Sequence, residues 1–472
     1  MNRAMSFFTM MVLVAVVPGL VSAQTTNKTA TAKKAGTEAA SVPATVPASK
    51  TTLKLAGGAD FRIRDEMKDK MPGTGVTAKK YENMVRVRSR VWGSASFDDY
   101  TLFGRMGDEF RMYTARSPKV REGVKTYDFP DEAYIDNLYF AAKNLLWDKV
   151  DLRVGRQELK YGEGRIISDG SPGDGSRSAY FDAVKGSYHV TDKTTLDAFG
   201  IYMDDYDRLA MGPYDRALET CNGYEDNEDS GAGLYLTVNE MKEFPFEMYY
   251  VWENESHAYT VNKVPYGRDF HTFGTRVMPK FSPRWSGEIE AAVQTGETDD
   301  GRDIFAYMGY GGVTYAMAPD TSYKPYVTPA IYYLSGDKDA TKGDDNNWNP
   351  VFNRTTWFSV LTADQYKNYA WSNLIFPHLA GGITVLGNQK IKAYTGPLFT
   401  VADDQGGANG ASDDTYKGYL SFVRYEAPLV KGFLGKNSDL NHAVQLELFA
   451  PGDYYETDDI ATFFRYEVNL KF

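Results

Sequence analysis

Across 472 residues the chain carries 52 Lys and Arg against 63 Asp and Glu, a formal net charge of -11, and a single cysteine, Cys221. One cysteine excludes an internal disulfide framework, and without a basic helix or an aromatic-basic platform nothing points to nucleic acid. The chain has 34 Tyr, 26 Phe and 43 Gly, and past the first residues no apolar run is long enough for a membrane helix. A membrane location would therefore require a closed barrel, since only helices and barrels satisfy every backbone group in lipid.

Met1-Asn2-Arg3, an apolar run over 7–17 and Val21-Ser22-Ala23 before Gln24 read as a secretory signal peptide over 1–23. The apolar run falls short of the about 20 residues that a spanning helix needs. Residues 24–50 are Thr, Ala, Lys, Ser and Pro with almost no large apolar side chain. Such a segment buries too little surface to fold and reads as a disordered periplasmic leader. Cell-wall contact through Lys28, Lys33 and Lys34 is the alternative to a plain solvated linker.

From 51 to 472 the apolar pattern has a period of two. The first strand holds Leu53, Leu55, Ala59, Phe61 and Ile63 against Lys54, Asp60, Arg62 and Arg64, and a loop over 67–80 follows. Strands are predicted over 81–97, 100–114, 131–145, 150–161, 178–190, 194–204, 229–238, 244–254, 269–280, 284–295, 303–318, 324–335, 374–386, 390–402, 415–428, 439–450 and 460–472. Eighteen antiparallel strands with alternating short turns and long loops are the signature of an outer-membrane β-barrel, with short turns toward the periplasm. Soluble sandwiches have no reason to alternate loop length in this way. The final strand alternates Phe464, Tyr466, Val468, Leu470 and Phe472 with polar residues. That pattern, ending on Phe472, resembles the signal that outer-membrane assembly machinery reads. Trp92, Trp147, Trp252 and Trp285 are candidates for interface girdles.

Within 81–97, Val85, Val87, Ser89 and Val91 share one strand face and Arg86, Arg88 and Arg90 the other. In a barrel the valines meet lipid and the arginines line a wet lumen. The same phasing turns Arg62, Arg64, Arg105, Arg111, Arg276, Arg424 and Arg465 inward. Guanidiniums offer paired donors to carboxylates, and rings of Arg set anion selectivity in pores. Against this stands a salt-bridge lattice, because Asp60, Glu109, Glu288, Glu290, Glu426, Glu447 and Glu467 also phase inward.

Gly155-Arg156-Gln157-Glu158-Leu159 with Tyr161-Gly162 is followed by Phe181-Asp182-Ala183-Val184. A second group is Leu334-Ser335-Gly336-Asp337 with Asn349-Pro350-Val351-Phe352, and a third is Gly381-Gly382. In these residues the sequence resembles the alginate-export outer-membrane porins, over nearly all of 53–472. The resemblance implies an eighteen-stranded barrel whose arginine-lined constriction passes an anionic polyuronate outward, gated by a loop and a periplasmic turn. It adds Arg156 to the substrate path. Residues 429–438 stand where that turn would be, and 336–373 is the longest predicted external loop.

Other chemistry finds little support. No helix follows the glycines of 155–164, so a nucleotide fingerprint fails. Asp337, Asp339, Asp344 and Asp345 are a candidate Ca²⁺ set without EF-hand spacing. The five scattered histidines give no zinc case, and no cofactor is implied. Glu288 and Glu290, about 7 Å apart on one strand, are the only glycosidase pair worth naming. The expectation is a non-enzymatic channel in the bacterial outer membrane, in contact with lipid and carrying an anionic saccharide. A porin for other small solutes and a barrel enzyme remain the alternatives.

Overall fold

A computed structural model gives the structure of residues 52–71, 79–113, 132–168, 180–204, 209–211, 229–255, 267–338, 342–353, 359–361, 372–385, 388–402, 414–436, 438–455 and 458–472. The expected signal peptide, the leader, Cys221, Asp339 and the Arg111 side chain lie outside the described residues.

Eighteen barrel strands run in chain order: β1 (Lys54–Met71), β2 (Lys79–Phe97), β3 (Tyr100–Tyr113), β4 (Glu132–Asn144), β5 (Val150–Gln157), β6 (Phe181–His189), β7 (Thr194–Met203), β8 (Asp229–Val238), β9 (Phe246–Glu255), β10 (Arg268–Val277), β11 (Trp285–Thr298), β12 (Asp303–Ala316), β13 (Tyr326–Leu334), β14 (Leu374–Val385), β15 (Gln389–Phe399), β16 (Tyr416–Lys431), β17 (Asp439–Pro451) and β18 (Ala461–Lys471). Each pairs antiparallel with its neighbours in sequence, and β1 pairs with β18 from Asp60↔Lys471 to Asp69↔Thr462. The sheet is closed, so it has no edge to leave backbone groups unpaired.

The alternation decides what faces out. Val91, Leu102, Phe140, Val184, Phe273 and Ile289 are exposed on the outer face. Trp147, Phe281 and Trp285 are exposed at the short-turn rim, where the amphipathic indoles of the two tryptophans suit a membrane interface. Trp92 departs from the expected girdle, because it shares the inward face of Arg88 and Arg90. Val87 departs from the lipid row too: it is buried, with Ile63 and Phe110 opposite it on either side.

Loop length does not alternate strictly. The predicted long loop over 296–302 shrinks to a tight turn, because β11 continues to Thr298 and Gly301 takes φ +82°. There the Arg302 N–H donates to Thr298 Oγ1 at 3.0 Å. β1 likewise outruns its predicted end and consumes much of the loop expected over 67–80. At the opposite rim, hydroxyls of Thr191 and Thr194 donate to Glu240, tie two neighbouring turns together and hold that carboxyl below its usual range.

Gly155 shows why one motif reads as it does. Its φ is +119°, and a Cβ there would lie 2.3 Å from the Leu138 carbonyl oxygen. A Gly155→Ala variant is expected to cost roughly 1–3 kcal/mol. Heat-modifiable gel mobility would show it as a smaller folded fraction, and an unchanged fraction would refute the strain argument.

Candidate functional site

Arginines crowd the interior of β1 and β2. Arg62 stands opposite Arg88 and Arg64 opposite Arg86. Like charges directly opposite on a sheet are destabilising, so the row has to be offset. Acids from β1 and β18 do so. Asp60 accepts from Arg90 Nε at 2.8 Å and Arg88 Nη2 at 3.3 Å, while Glu66 accepts from Arg86 at 3.2 Å and Arg465 Nε at 2.8 Å. Glu467 pairs with Arg64, and lies 3.7 Å from Arg424.

A β-bulge supplies a further acid. The β3–β4 register shifts between Arg105 and Met106, which leaves Asp136 without a register partner. Bulges re-aim side chains, and the fully buried Asp136 carboxylate accepts from Arg105 Nε at 2.7 Å and lies 3.8 Å from Arg90. Arg105 also pairs with Glu158. The lattice is thus real, yet incomplete: among the described residues, the buried Arg88 has no hydrogen-bond partner for Nε and Nη1.

Chain that the sequence placed outside turns into the lumen. Ile167–Ser168 pairs in parallel with Phe352–Asn353, two short strands inserted from different loops. Leu159, Ile166, Trp348, Val351 and Phe352 pack with inward residues such as Phe270 and Phe376 into one buried apolar cluster. Polar clamps fix the inserts to the wall. Gln294 mimics a strand, donating to the Asn349 carbonyl at 2.8 Å and accepting its N–H at 2.9 Å. Glu447 accepts the N–H groups of Val360 (3.2 Å) and Leu361 (3.0 Å). Arg165, with its side chain only 1% exposed, donates to Glu288 at 2.7 Å and to Glu290, and stacks over Tyr310 at 3.8 Å.

The predicted site residues divide accordingly. Arg62, Arg64, Arg86, Arg88, Arg90, Arg105, Arg424 and Arg465 share the charged wall. Arg276 faces the lumen on the opposite side, held by Glu288 (2.9 Å), Glu247 (3.0 Å) and Glu163 (3.1 Å).

Arg156 does not line the lumen. Asp182 shares the face of exposed Val184, while Phe181 and Ala183 point into the core. Arg156 donates twice to Asp182, at 2.9 and 2.8 Å, and lies over Tyr180. It is a staple on the outer wall near the long-loop rim. Gln157 completes it by donating to the Ala183 carbonyl at 2.9 Å.

Glu288 and Glu290 do point inward, but their bonds go to Arg165, Arg276 and Tyr249, so the glycosidase pair is a clamp instead. Among the described residues, the Ca²⁺ candidates Asp337, Asp344 and Asp345 form no metal-holding group. Asp345 is ion-paired with Arg268 at 3.2 Å, and among the described residues no group of three or more acids, histidines or cysteines could hold a metal.

Sequence reasoning missed Glu66, Asp136, Arg165 and Gln294. Alternation signals Glu66 and Gln294, each an even step from a residue already placed inward. A bulge hid Asp136, and Arg165 lies in a loop with no period to read.

Several solved structures share the fold. OccAB1 of Acinetobacter baumannii matches with TM-score 0.59 at 10% identity, over 89% of this chain and 96% of that one. A BenF-like porin from Pseudomonas fluorescens Pf-5 matches at 0.54 and 11%, over 89% and 98%. OpdK of Pseudomonas aeruginosa, solved with vanillate, matches at 0.54 and 11%, over 88% and 98%. No curated protein matches the sequence. The alginate export family model matches residues 54–468, across every barrel strand and both inserted segments, and the chain belongs to that family.

Proposed function

We propose that the protein is a channel of the bacterial outer membrane that passes an anionic saccharide of the polyuronate type, with no catalytic step. One observation carries the reading: guanidiniums held directly opposite one another, Arg62 against Arg88 and Arg64 against Arg86, on the interior of a closed barrel. Such an arrangement costs stability in a lattice that only fills space, and it serves a passing carboxylate through paired donors. The lipid-facing apolar band and the aromatic alternation of β18 support insertion by the outer-membrane assembly machinery.

In planar bilayers with a KCl gradient the purified barrel is expected to be anion-selective, and trimannuronate is expected to interrupt its current. Cation selectivity would sink the reading. The inserted segments favour a second possibility, a fixed constriction that admits small organic acids and excludes polymers. Block by citrate with none by trimannuronate would decide for that one.

A further inference from the structure

Three aromatic rings line the interior one layer closer to the short-turn end than the arginine row. Trp92 follows Arg90 by two residues and Phe103 precedes Arg105 by two, so the layers are about 7 Å apart. Val91, Leu102, Leu138 and Phe140, on the alternate positions, are exposed on the outer face, which turns Trp92, Phe103 and Tyr139 inward.

The rings form one stacked row across three neighbouring strands. Trp92 and Phe103 have centroids 5.9 Å apart at 20°, and Phe103 and Tyr139 are 5.0 Å apart at 15°. All three are partly exposed, unlike the rings sealed by the inserted segments. Gly58 makes the row possible at its β1 end, where a Cβ would meet the Trp92 indole nitrogen at 2.7 Å. At the far end the Arg153 guanidinium lies 4.6 Å from the Tyr139 centroid. Among the described residues no carboxylate lies within ion-pair distance of Arg153, and the Tyr139 hydroxyl has no hydrogen-bond partner. Arg153 was not among the arginines that alternation singled out.

We propose that Trp92, Phe103 and Tyr139, with Arg153, form a binding subsite for the ring of a uronate sugar. A pyranose presents an apolar C–H face and a polar edge. The aromatic row matches the face, while Arg153 and the Tyr139 hydroxyl match the carboxylate and hydroxyl edge. The inference rests on the channel reading above and adds to it a preference for sugar rings over planar or open-chain acids of similar charge.

The test is current block of the purified full chain in bilayers, with trimannuronate and citrate as probes. In Trp92→Ala, Phe103→Ala and Tyr139→Ala the trimannuronate residence time is expected to fall about five- to tenfold, with a much smaller change for citrate. Arg153→Gln is expected to weaken trimannuronate block without weakening block by neutral maltotriose. Leu102→Ala, beside Phe103 but on the lipid face, is the control. Should the alanine variants fail to show heat-modifiable mobility, Trp92→Phe and Trp92→Leu replace them; the aromatic one is expected to keep block and the aliphatic one to lose it. If the wild-type channel is blocked by trimannuronate and the aromatic losses leave that block intact, the subsite is overturned and the channel reading stands. If trimannuronate never blocks the wild type, both fall.

Discussion

Arg165→Ala is expected to raise single-channel conductance several-fold. The Arg165 guanidinium is the cation that binds the 159–168 insert to Glu288 and Glu290 on β11, and Tyr310 covers its face. Removing one partner of a buried pair costs about 3–5 kcal/mol, because the other charge stays buried. Glu288 would keep Arg276, but Glu290 would keep only the Tyr249 hydroxyl at 3.0 Å. The barrel wall has its own closed ladder of hydrogen bonds, so the cost falls on the docked insert. Arg165→Lys is expected to restore little, since one ammonium replaces neither the forked donor nor the stacked plane. Adding Gln294→Ala, which leaves Asn349 in the second insert with its tie to Glu255 at 3.0 Å, is expected to widen the pore further. Unchanged conductance in the double variant would show that the apolar cluster, with the Glu447 and Glu255 ties, holds the plug without Arg165 and Gln294.

Joint replacement of Arg86, Arg88 and Arg90 by alanine is expected to reverse ion selectivity from anion to cation. The three arginines offset Asp60, Glu66 and, at 3.6 Å from Arg86, Glu109. Their loss does more than subtract positive charge: it exposes carboxylates that were already there. A fall of about tenfold in the chloride-to-potassium permeability ratio corresponds to about 1.4 kcal/mol, modest against three guanidiniums in a narrow lumen. The measurement is the reversal potential across a KCl gradient, and Arg88→Lys is the charge-preserving control. A reversal potential that did not move would place the selectivity step elsewhere, on Arg153, Arg276 or Arg424.

The two predictions differ in how far the sequence alone supports them. Arg86, Arg88 and Arg90 were placed inward by alternation with Val85, Val87 and Val91, and the structure keeps that phase. Alternation fails where the backbone leaves the regular pleat. At the bulge opposite Arg105, Asp136 joins the interior although its register suggests nothing. Arg156 is a different case: the family resemblance put it on the substrate path, whereas it keeps the phase of exposed Val154 and joins Asp182 on the outer wall. Arg165 shows a third kind of gap, since a loop residue has no phase and only contact with Glu288 and Glu290 gives it a role. Trp92 was legible as inward by its spacing from Arg90, yet a girdle position fits a lone tryptophan equally well. Phe103 and Tyr139 beside it give it a different meaning.

The chain's own pattern therefore determined the closed antiparallel barrel, the lipid-facing side and most of the arginine row, because a strand's side-chain period is a local property. Only the tertiary structure decided which carboxylate neutralises which arginine, and that segments of two loops turn into the lumen. Both depend on contacts between residues far apart in sequence, such as Glu66 with Arg465 and Gln294 with Asn349, whose energies no local spacing encodes.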